Sequence, residues 1–473
     1  MVPHSAVATL LAANPVVLSP GDTAWMLASS ALVLLMTPGL AFFYGGLTRS
    51  KSTLNMMMMS FVTISIVSVL WVLFGFKLAF ASSSTSGFFG DFSLGHLGEA
   101  AGQIVAFGGT GTGIPVIVFA AFQLMFAIIT PALISGAIAD RAKFLSWSIF
   151  ATLWAIIVYF PVAHWVFDFG ALGGKAGWLA TLQATFKQGV QQNAGVEDFA
   201  GGTAVHINAG AAALALAIVL GKRIGFKKNP MRPHNVPWVL LGSALLWFGW
   251  FGFNAGSAVG SNGLAGLAFM NTQVATAAAL GGWLIVEYFR DGHATSVGAA
   301  SGAVAGLVAI TPACGFITPW ASVVLGVLAG ALCAFAVGLK YKLGYDDSLD
   351  VVGVHLVGGI FGTLFIGFFS SSAVNSFAND GLFYGGGLGQ LGRQAIGAGA
   401  VLVYSFVVAF ILGFVIDKTI GFRVSEQAEI EGIDVSEHAE SAYEFDTQSS
   451  SGTIPSGHLA GVTGSTSSTE VHA

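Results

Sequence analysis

Charged side chains are scarce in this 473-residue chain: Asp, Glu, Lys and Arg make up 9% of it, and 55% of the residues are hydrophobic. Soluble domains contain about 25% charged residues. A soluble fold could not bury so much apolar surface, so the composition predicts a protein embedded in a lipid bilayer. The net charge of −5 is misleading, because much of the acid lies near the C-terminus. Nothing in the sequence indicates nucleic acid binding.

Cysteine is also scarce, and the two present, Cys314 and Cys333, form no disulfide framework. The sequence contains no nucleophile–base motif, no phosphate-binding loop and no set of metal ligands. We therefore predict no enzyme, no cofactor and no metal. The first twenty residues are mildly apolar but lack the basic start of a signal peptide. We expect residues 1–21 to be a short extracytoplasmic leader, and the sequence leaves open whether it is cleaved.

Long apolar runs, by contrast, are abundant. A membrane-spanning helix needs about 20 apolar residues, and eleven stretches meet this need. They lie near 24–44, 54–80, 114–138, 144–167, 200–220, 237–258, 264–289, 295–311, 320–340, 350–371 and 393–417. The sequence therefore predicts an all-α membrane protein with eleven transmembrane helices over residues 22–417. We expect residues 418–446 to be a regulatory tail and residues 447–473, rich in Ser, Thr and Gly, to be disordered.

The basic residues predict the orientation in the membrane, because cytoplasmic loops collect Lys and Arg. Of the 18 basic residues, 14 lie in the odd-numbered gaps between the predicted helices or in the tail. The exceptions are Lys77, Lys175, Lys187 and Arg393. We therefore expect an extracytoplasmic N-terminus and a cytoplasmic tail, in a multi-pass protein of the cell membrane.

Two histidines lie inside apolar segments, and each is eight residues after an aspartate. The segments read Asp198-FAGGTAV-His206 and Asp347-SLDVVGV-His355. Ionisable side chains at membrane depth are energetically expensive and normally line a pathway or a site. The two segments are the fifth and tenth predicted helices, so a repeat of five helices would be inverted. We predict two inverted repeats, about 22–221 and 236–371, with the eleventh helix added.

Helix geometry predicts that the two imidazoles meet. Eight residues of helix rise about 12 Å, and the apolar core of a bilayer is about 30 Å thick. His206 then lies inward from Asp198, and His355 lies outward from Asp347, so both reach the middle of the membrane. They would line one pore. The alternative is a pair of core histidines that only hold two helices together.

The aspartates have two interpretations. Asp198 precedes a helix, where a carboxylate accepts backbone N–H bonds and interacts favourably with the helix dipole. It would also attract cations beneath an outer vestibule. Asp347 and Asp350 have the same two interpretations on the inner side.

Several aromatic clusters suit a small cation that carries N–H groups. Phe122 and Phe126 are four residues apart and share a helix face, as do Phe253 and Ser257. A ring offers cation–π attraction, and a hydroxyl accepts a hydrogen bond. Packing in the core of the bundle is the alternative for the aromatic residues alone.

The chain resembles the ammonium transporter family (Amt/Mep/Rh), in particular its bacterial Amt members. The resemblance covers about residues 22–445. Its motifs are PGLAFFYGGLTRSK, AFQLMFAIITPALISGAIADR, DFAGGTAVHINAG, GKRIGFKKNPMRPHN, WFGFNAGSA, NTQVATAAA, SGAVAGLVAITPACGFI, DVVGVHLVGGIFG and EGIDVSEHAESAYEF.

The resemblance implies a trimer of eleven-helix protomers, each with its own pore for ammonium or ammonia. His206 and His355 match the twin pore histidines, and Phe126 and Phe253 match the stacked phenylalanine gate. The residues that match the outer recruitment site are Phe122, Ser257 and Phe167. Asp198 matches the aspartate beneath that site. Residues 423–445 resemble the regulatory tail that docks a PII-type signal protein.

One position departs from the family. Tryptophan is usual in the recruitment site where Phe167 aligns, and phenylalanine is the weaker cation–π partner. Trp165 lies about 200° round the helix from it, so it is a poor substitute. We expect ammonium uptake with deprotonation at the gate and a proton relayed separately, which makes transport electrogenic. The alternatives are a passive channel for ammonia gas and an ammonium sensor that acts through its tail.

Overall fold

The computed structural model describes residues 16–80, 85–95, 97–107, 111–182, 195–229 and 231–443. In this part of the chain, ten helices are long and apolar enough to cross a membrane. They are α1 (Pro20–Leu47), α2 (Ser50–Phe80), α3 (Val116–Ile138), α4 (Phe144–Phe167), α5 (Gly202–Leu220), α6 (Val236–Gly256), α7 (Gly263–Asp291), α9 (Pro319–Leu343), α10 (Val352–Phe369) and α11 (Gly389–Thr419).

The eighth predicted span corresponds to a shorter apolar helix, α8 (Ser296–Ile310), which is 15 residues long. At a rise of about 1.5 Å per residue it is roughly 22 Å long, less than the apolar thickness of a bilayer. Two further short helices follow α11: α12 (Glu426–Glu431) and α13 (Ile433–His438).

Capping residues set the ends of several helices. Asn235, Asn262 and Thr295 each accept a backbone N–H bond in the first turn of α6, α7 and α8. Such side chains satisfy N–H groups that have no partner within the helix. At its other end α7 stops at Gly292, which has a φ of 80°. Glycine adopts this left-handed conformation without steric cost.

The prediction of an all-α fold is incomplete at one place, because three short strands form a small sheet. The strands are β1 (Val17–Leu18), β2 (Ile104–Val105) and β3 (Thr112–Pro115). The central strand β3 pairs in parallel with β1 and antiparallel with β2. The expected leader, residues 1–21, thus ends in a strand and the first turn of α1, and its residues 1–15 lie outside the described part.

Glycines allow the helices that carry the site to pack closely. A Cβ on Gly242 of α6 would lie 2.3 Å from the backbone nitrogen of Phe43 in α1. A Cβ on Gly210 of α5 would lie 2.5 Å from the backbone nitrogen of Leu356 in α10. Small residues permit such close approach of helix backbones in membrane proteins. The two histidine-bearing helices are therefore in direct contact.

The described residues up to Ala442 form one compact unit. The expected disordered tail, 447–473, lies outside the described residues, as does the end of the regulatory tail from residue 444.

Candidate functional site

The imidazoles of His206 and His355 contact each other inside the bundle. Their Nδ1 atoms are 3.2 Å apart, and the ring centroids are 5.2 Å apart with 26° between the planes. Both side chains are buried. A neutral imidazole has one donor and one acceptor nitrogen, so one Nδ1 donates to the other. The Nε2 atom of His206 has no hydrogen-bond partner among the described residues, which leaves it available to a solute.

Both histidines lie on widened π-helical turns, Gly202–Ile207 in α5 and Val352–Leu356 in α10. The His206 N–H accordingly donates to the carbonyl of Gly201, five residues earlier. Such turns occur frequently at functional sites. The hydropathy pattern shows an apolar helix in either case, so sequence reasoning did not detect them.

Asp198 caps the start of α5. Its two carboxylate oxygens accept the backbone N–H groups of Gly201, Gly202, Thr203 and Ala204 at 2.6–3.2 Å, and the hydroxyl of Thr203. The carboxylate is buried. These bonds agree with the capping interpretation, and the carboxylate holds the turn that carries His206.

Asp347 and Asp350 have different environments at the start of α10. Asp347 is buried and accepts the N–H groups of Val351 and Val352 at 3.1 and 2.7 Å. Burial raises its pKa to about 6. Asp350 instead pairs with the ammonium of Lys340 at 2.6 Å. Asp347 therefore holds the helix, whereas Asp350 faces open space.

That space is a cavity of about 400 Å³, bounded by His355 and by the loop that follows α5. Its charged lining residues are Arg223, Lys227, Lys228, Lys340 and Asp350. The cavity connects one face of the histidine pair to a region rich in positive charge.

A line of aromatic rings extends from the opposite side of His206, and it consists of Phe253, Phe126 and Phe122. We call it the aromatic line. The centroids of Phe253 and Phe126 are 4.2 Å apart, and those of Phe126 and Phe122 are 4.9 Å apart. Phe253 in turn lies 6.2 Å from His206. All three phenylalanines are buried. Of the two predicted gate residues, Phe253 thus lies beside His206, and Phe126 packs against Phe253.

Two predicted recruitment residues differ in their placement. The hydroxyl of Ser257 donates to the carbonyl of Phe253 at 2.8 Å, so its lone pairs remain free to accept. Phe167 is partly buried at the end of α4. Within the described residues it makes no ring contact with Phe122, so the structure does not bring it into the aromatic line. Trp165 donates to the carbonyl of Phe88.

Sequence reasoning missed one member of the site, Trp250. Its ring stacks on His206, with centroids 5.4 Å apart, and its Nε1 donates to the hydroxyl of Thr311 at 2.8 Å. Trp250 is seven residues before Ser257, two helical turns away on the same face of α6. That spacing is the signal that could have identified it.

These features define a multi-pass membrane protein with a buried site of imidazoles and aromatic rings inside its helix bundle. The model of the Ammonium Transporter Family matches residues 24–443. The chain therefore belongs to the ammonium transporter family, which is a family of transporters and not of enzymes.

Curated relatives and solved structures agree with this assignment. An ammonium transporter of Mycobacterium tuberculosis is 55% identical over 453 residues, covering 91% of this chain and 92% of the relative. One from Bacillus subtilis is 45% identical, covering 90% and 98%. The crystal structure of Saccharomyces cerevisiae Mep2 is 32% identical with a TM-score of 0.76, covering 93% and 94%.

Proposed function

We propose that this protein takes up ammonium across the cell membrane and conducts it as ammonia past His206 and His355. The observation that carries the proposal is the contact of two buried imidazoles next to the buried Phe126–Phe253 pair. Membership of the ammonium transporter family supports the substrate.

Deprotonation at the gate follows from the cost of burying charge. The ring centroids of Phe126 and Phe253 are 4.2 Å apart, and both side chains are at most 2% exposed. An unpaired cation in such surroundings loses its hydration without compensation. Ammonia, which is neutral, avoids this cost. The proton is relayed separately through the two imidazoles, which makes transport electrogenic.

Recruitment of the cation takes place on the Phe122 side of the gate. The face of Phe122 offers cation–π attraction, and Ser257 has lone pairs free to accept an N–H bond. Asp198 adds negative charge on the same side while it caps α5. Phe167 is the fourth proposed member of this outer site. Asp350 and Asp347 are the carboxylates of the inner side, where Asp350 lines the cavity below His355.

We further propose the arrangement in which the site operates. Eleven transmembrane helices, with α8 as the eighth, form two inverted five-helix repeats and an added helix. Three such protomers form a homotrimer in the lipid bilayer, each with one pore. The N-terminus is extracytoplasmic and the tail is cytoplasmic, as the distribution of basic residues indicates.

The tail is proposed to bind a PII-type signal protein at the cytoplasmic face. Its described part contacts the starts of two membrane helices, α2 and α4: Asp434 accepts the N–H groups of Leu54 and Asn55, and Glu437 accepts that of Phe144. A partner that displaces the tail would therefore reach the helix bundle. Deletion of residues 423–445 should abolish co-purification with a PII protein, and unchanged binding contradicts this part of the proposal.

Current measurement in proteoliposomes tests the mechanism. An inward ammonium gradient should drive a current in the wild type that is lost in the double variant His206→Leu, His355→Leu. The matched control is His293→Leu, which removes an exposed imidazole between α7 and α8 and should leave the current unchanged. A current that persists in the double variant contradicts the proton relay. Flux without current in the wild type favours a passive ammonia channel.

A further inference from the structure

Glu197 is a buried carboxyl group that the transport mechanism above does not use. It directly precedes Asp198, at the end of α5 that we propose faces outside, and is 7% exposed. Its carboxylate faces the segment between α10 and α11 and the first turns of α11. Ser370, Asn379, Gln390 and Gln394 surround it, and all four are also buried.

The Glu197 carboxylate accepts hydrogen bonds from Ser370 and Asn379. The hydroxyl of Ser370 donates to Oε2 at 2.7 Å, and the backbone N–H and side-chain amide of Asn379 donate to Oε1 at 2.6 and 3.0 Å. The Glu197 backbone is held in addition by the amide of Gln394, which bonds both its N–H and its carbonyl. Glu197 therefore links the start of α5 to the ends of α10 and α11.

The same arrangement accepts a proton without losing a contact. A hydroxyl can donate or accept, so a protonated Oε2 would donate to the Ser370 oxygen and reverse that bond. The two bonds from Asn379 would remain but would become neutral. Hydrogen bonds to an ionised group are roughly twice as strong as neutral ones, so protonation loosens the link.

Burial places the titration of Glu197 near neutrality. Burial raises its pKa to about 7, and this rise is opposed by the bonds from Asn379 and Ser370 and by the positive charge of Arg393 on α11. The other charged groups nearby are the carboxylates of Asp198, its chain neighbour, and Asp380, which follows Asn379 and bonds Ser372. Ser370, the residue that follows α10, is uncharged.

We propose that Glu197 is a proton-operated latch at the outer mouth, whose ionised form secures α5 to α10 and α11 and strengthens recruitment of the ammonium ion. The ionised latch adds a negative charge beside Asp198 and holds the capped turn of His206 in place. Acidification outside the cell neutralises the charge and weakens the link. This inference rests on the proposed uptake function and adds its regulation by pH.

The test is the KM for methylammonium uptake in proteoliposomes as the outside pH varies between about 6 and 8. Methylammonium stays cationic over this range, so its own titration does not contribute. In the wild type we expect KM to rise as the pH falls, with a midpoint near 7 and little change in the maximal rate. Glu197→Gln, which is neutral at every pH, should have the high KM throughout and no midpoint.

Two further variants complete the test. Asp380→Asn removes a neighbouring carboxylate that bonds Ser372 and not Glu197. It leaves the bonds from Ser370 and Asn379 to Glu197 in place, so the rise of KM at low pH should persist. Ser370→Ala removes a hydrogen-bond donor to the ionised carboxylate of Glu197, so the midpoint should move to higher pH. This variant provides the test if Glu197→Gln does not fold. A midpoint that persists in Glu197→Gln, or that Ser370→Ala leaves in place, overturns the proposal. A wild type that carries no methylammonium contradicts the uptake function itself.

Discussion

The imidazole of His206 lies almost parallel to the indole of Trp250, with 21° between the ring planes and 5.4 Å between the centroids. The indole is itself fixed by its bond to Thr311 at 2.8 Å. His206 is thus held by α6 and α8 as well as by its own helix. The stack orients the nitrogen that contacts His355.

Substitution of Trp250 should therefore slow transport, although this residue does not relay the transported proton. Aromatic pairs contribute about 0.5–1.5 kcal/mol beyond the area they bury. In Trp250→Leu we expect an ammonium current reduced about two- to tenfold by this loss. The control is Trp320→Leu, since Trp320 is 56% exposed on α9. Equal currents in both variants and the wild type would show that the stack does not position His206.

The proposed outer site can be tested by placing tryptophan at position 167, the residue that the family resemblance leads us to expect there. Phe167→Trp introduces the better cation–π partner, and exposed cation–π contacts are worth about 0.5–1 kcal/mol. If Phe167 lines the recruitment site, the KM for ammonium should fall. The decrease should be smaller than the about two- to fivefold that a whole contact is worth, because phenylalanine already provides part of it. Phe169→Trp, two residues later and 63% exposed, is the matched control. An unchanged KM in Phe167→Trp would exclude the residue from the site, in accord with its missing ring contact to Phe122.

Much of the bundle could be predicted from hydropathy alone. Ten of the eleven apolar stretches correspond to helices long enough to cross a membrane. The contact between His206 and His355 could also be predicted, because each lies eight residues from a capping aspartate and helical rise fixes the depth. Both inferences need only distances along the chain.

The latch at Glu197 could not be predicted in this way. Its partners Ser370 and Asn379 are 173 and 182 residues away, and no periodicity connects them to it. The widened turns at the two histidines could not be predicted for a different reason. A segment with one extra residue in a turn is still apolar, so its hydropathy does not distinguish a π-helical turn from an α-helical one. The small sheet has strands of two to four residues, too short to give a recognisable alternation.

Close packing around the site predicts that alanine at two different glycine positions will change the thermal stability in opposite directions. A Cβ on Gly362 in α10 would lie 2.0 Å from the carbonyl oxygen of Ala309 in α8, whereas one on Gly399 in α11 would have no atom of a described residue within 4 Å. Overpacking costs about 1–3 kcal/mol, so Gly362→Ala should lower the thermal unfolding midpoint in detergent. Gly399→Ala should raise it slightly, because alanine in a helix is favoured by roughly 0.5–1 kcal/mol. Equal midpoints would show that α8 and α10 can separate at no cost.

One buried carboxylate, that of Asp434, contributes to the attachment of the tail to the bundle. Asp434 is 1% exposed and accepts the N–H groups of Leu54 and Asn55 at 3.0 and 2.8 Å. These belong to the first turn of α2 after its 3₁₀ start, where N–H groups lack partners within the helix. His438 adds a bond to the Asn55 side chain at 3.0 Å.

Asp434→Ala should therefore release both amides. Loss of a cap costs about 0.5–2 kcal/mol, so hydrogen exchange at Leu54 and Asn55 should accelerate about two- to thirtyfold. Glu426→Ala is the matched control, because Glu426 is an exposed carboxylate on α12, and exchange at the two amides should stay at the wild-type rate. Unchanged exchange in Asp434→Ala would mean that the rest of α13 holds the tail. In that case a PII-type protein would have to displace the whole helix, because loss of the Asp434 bonds alone would not free the tail.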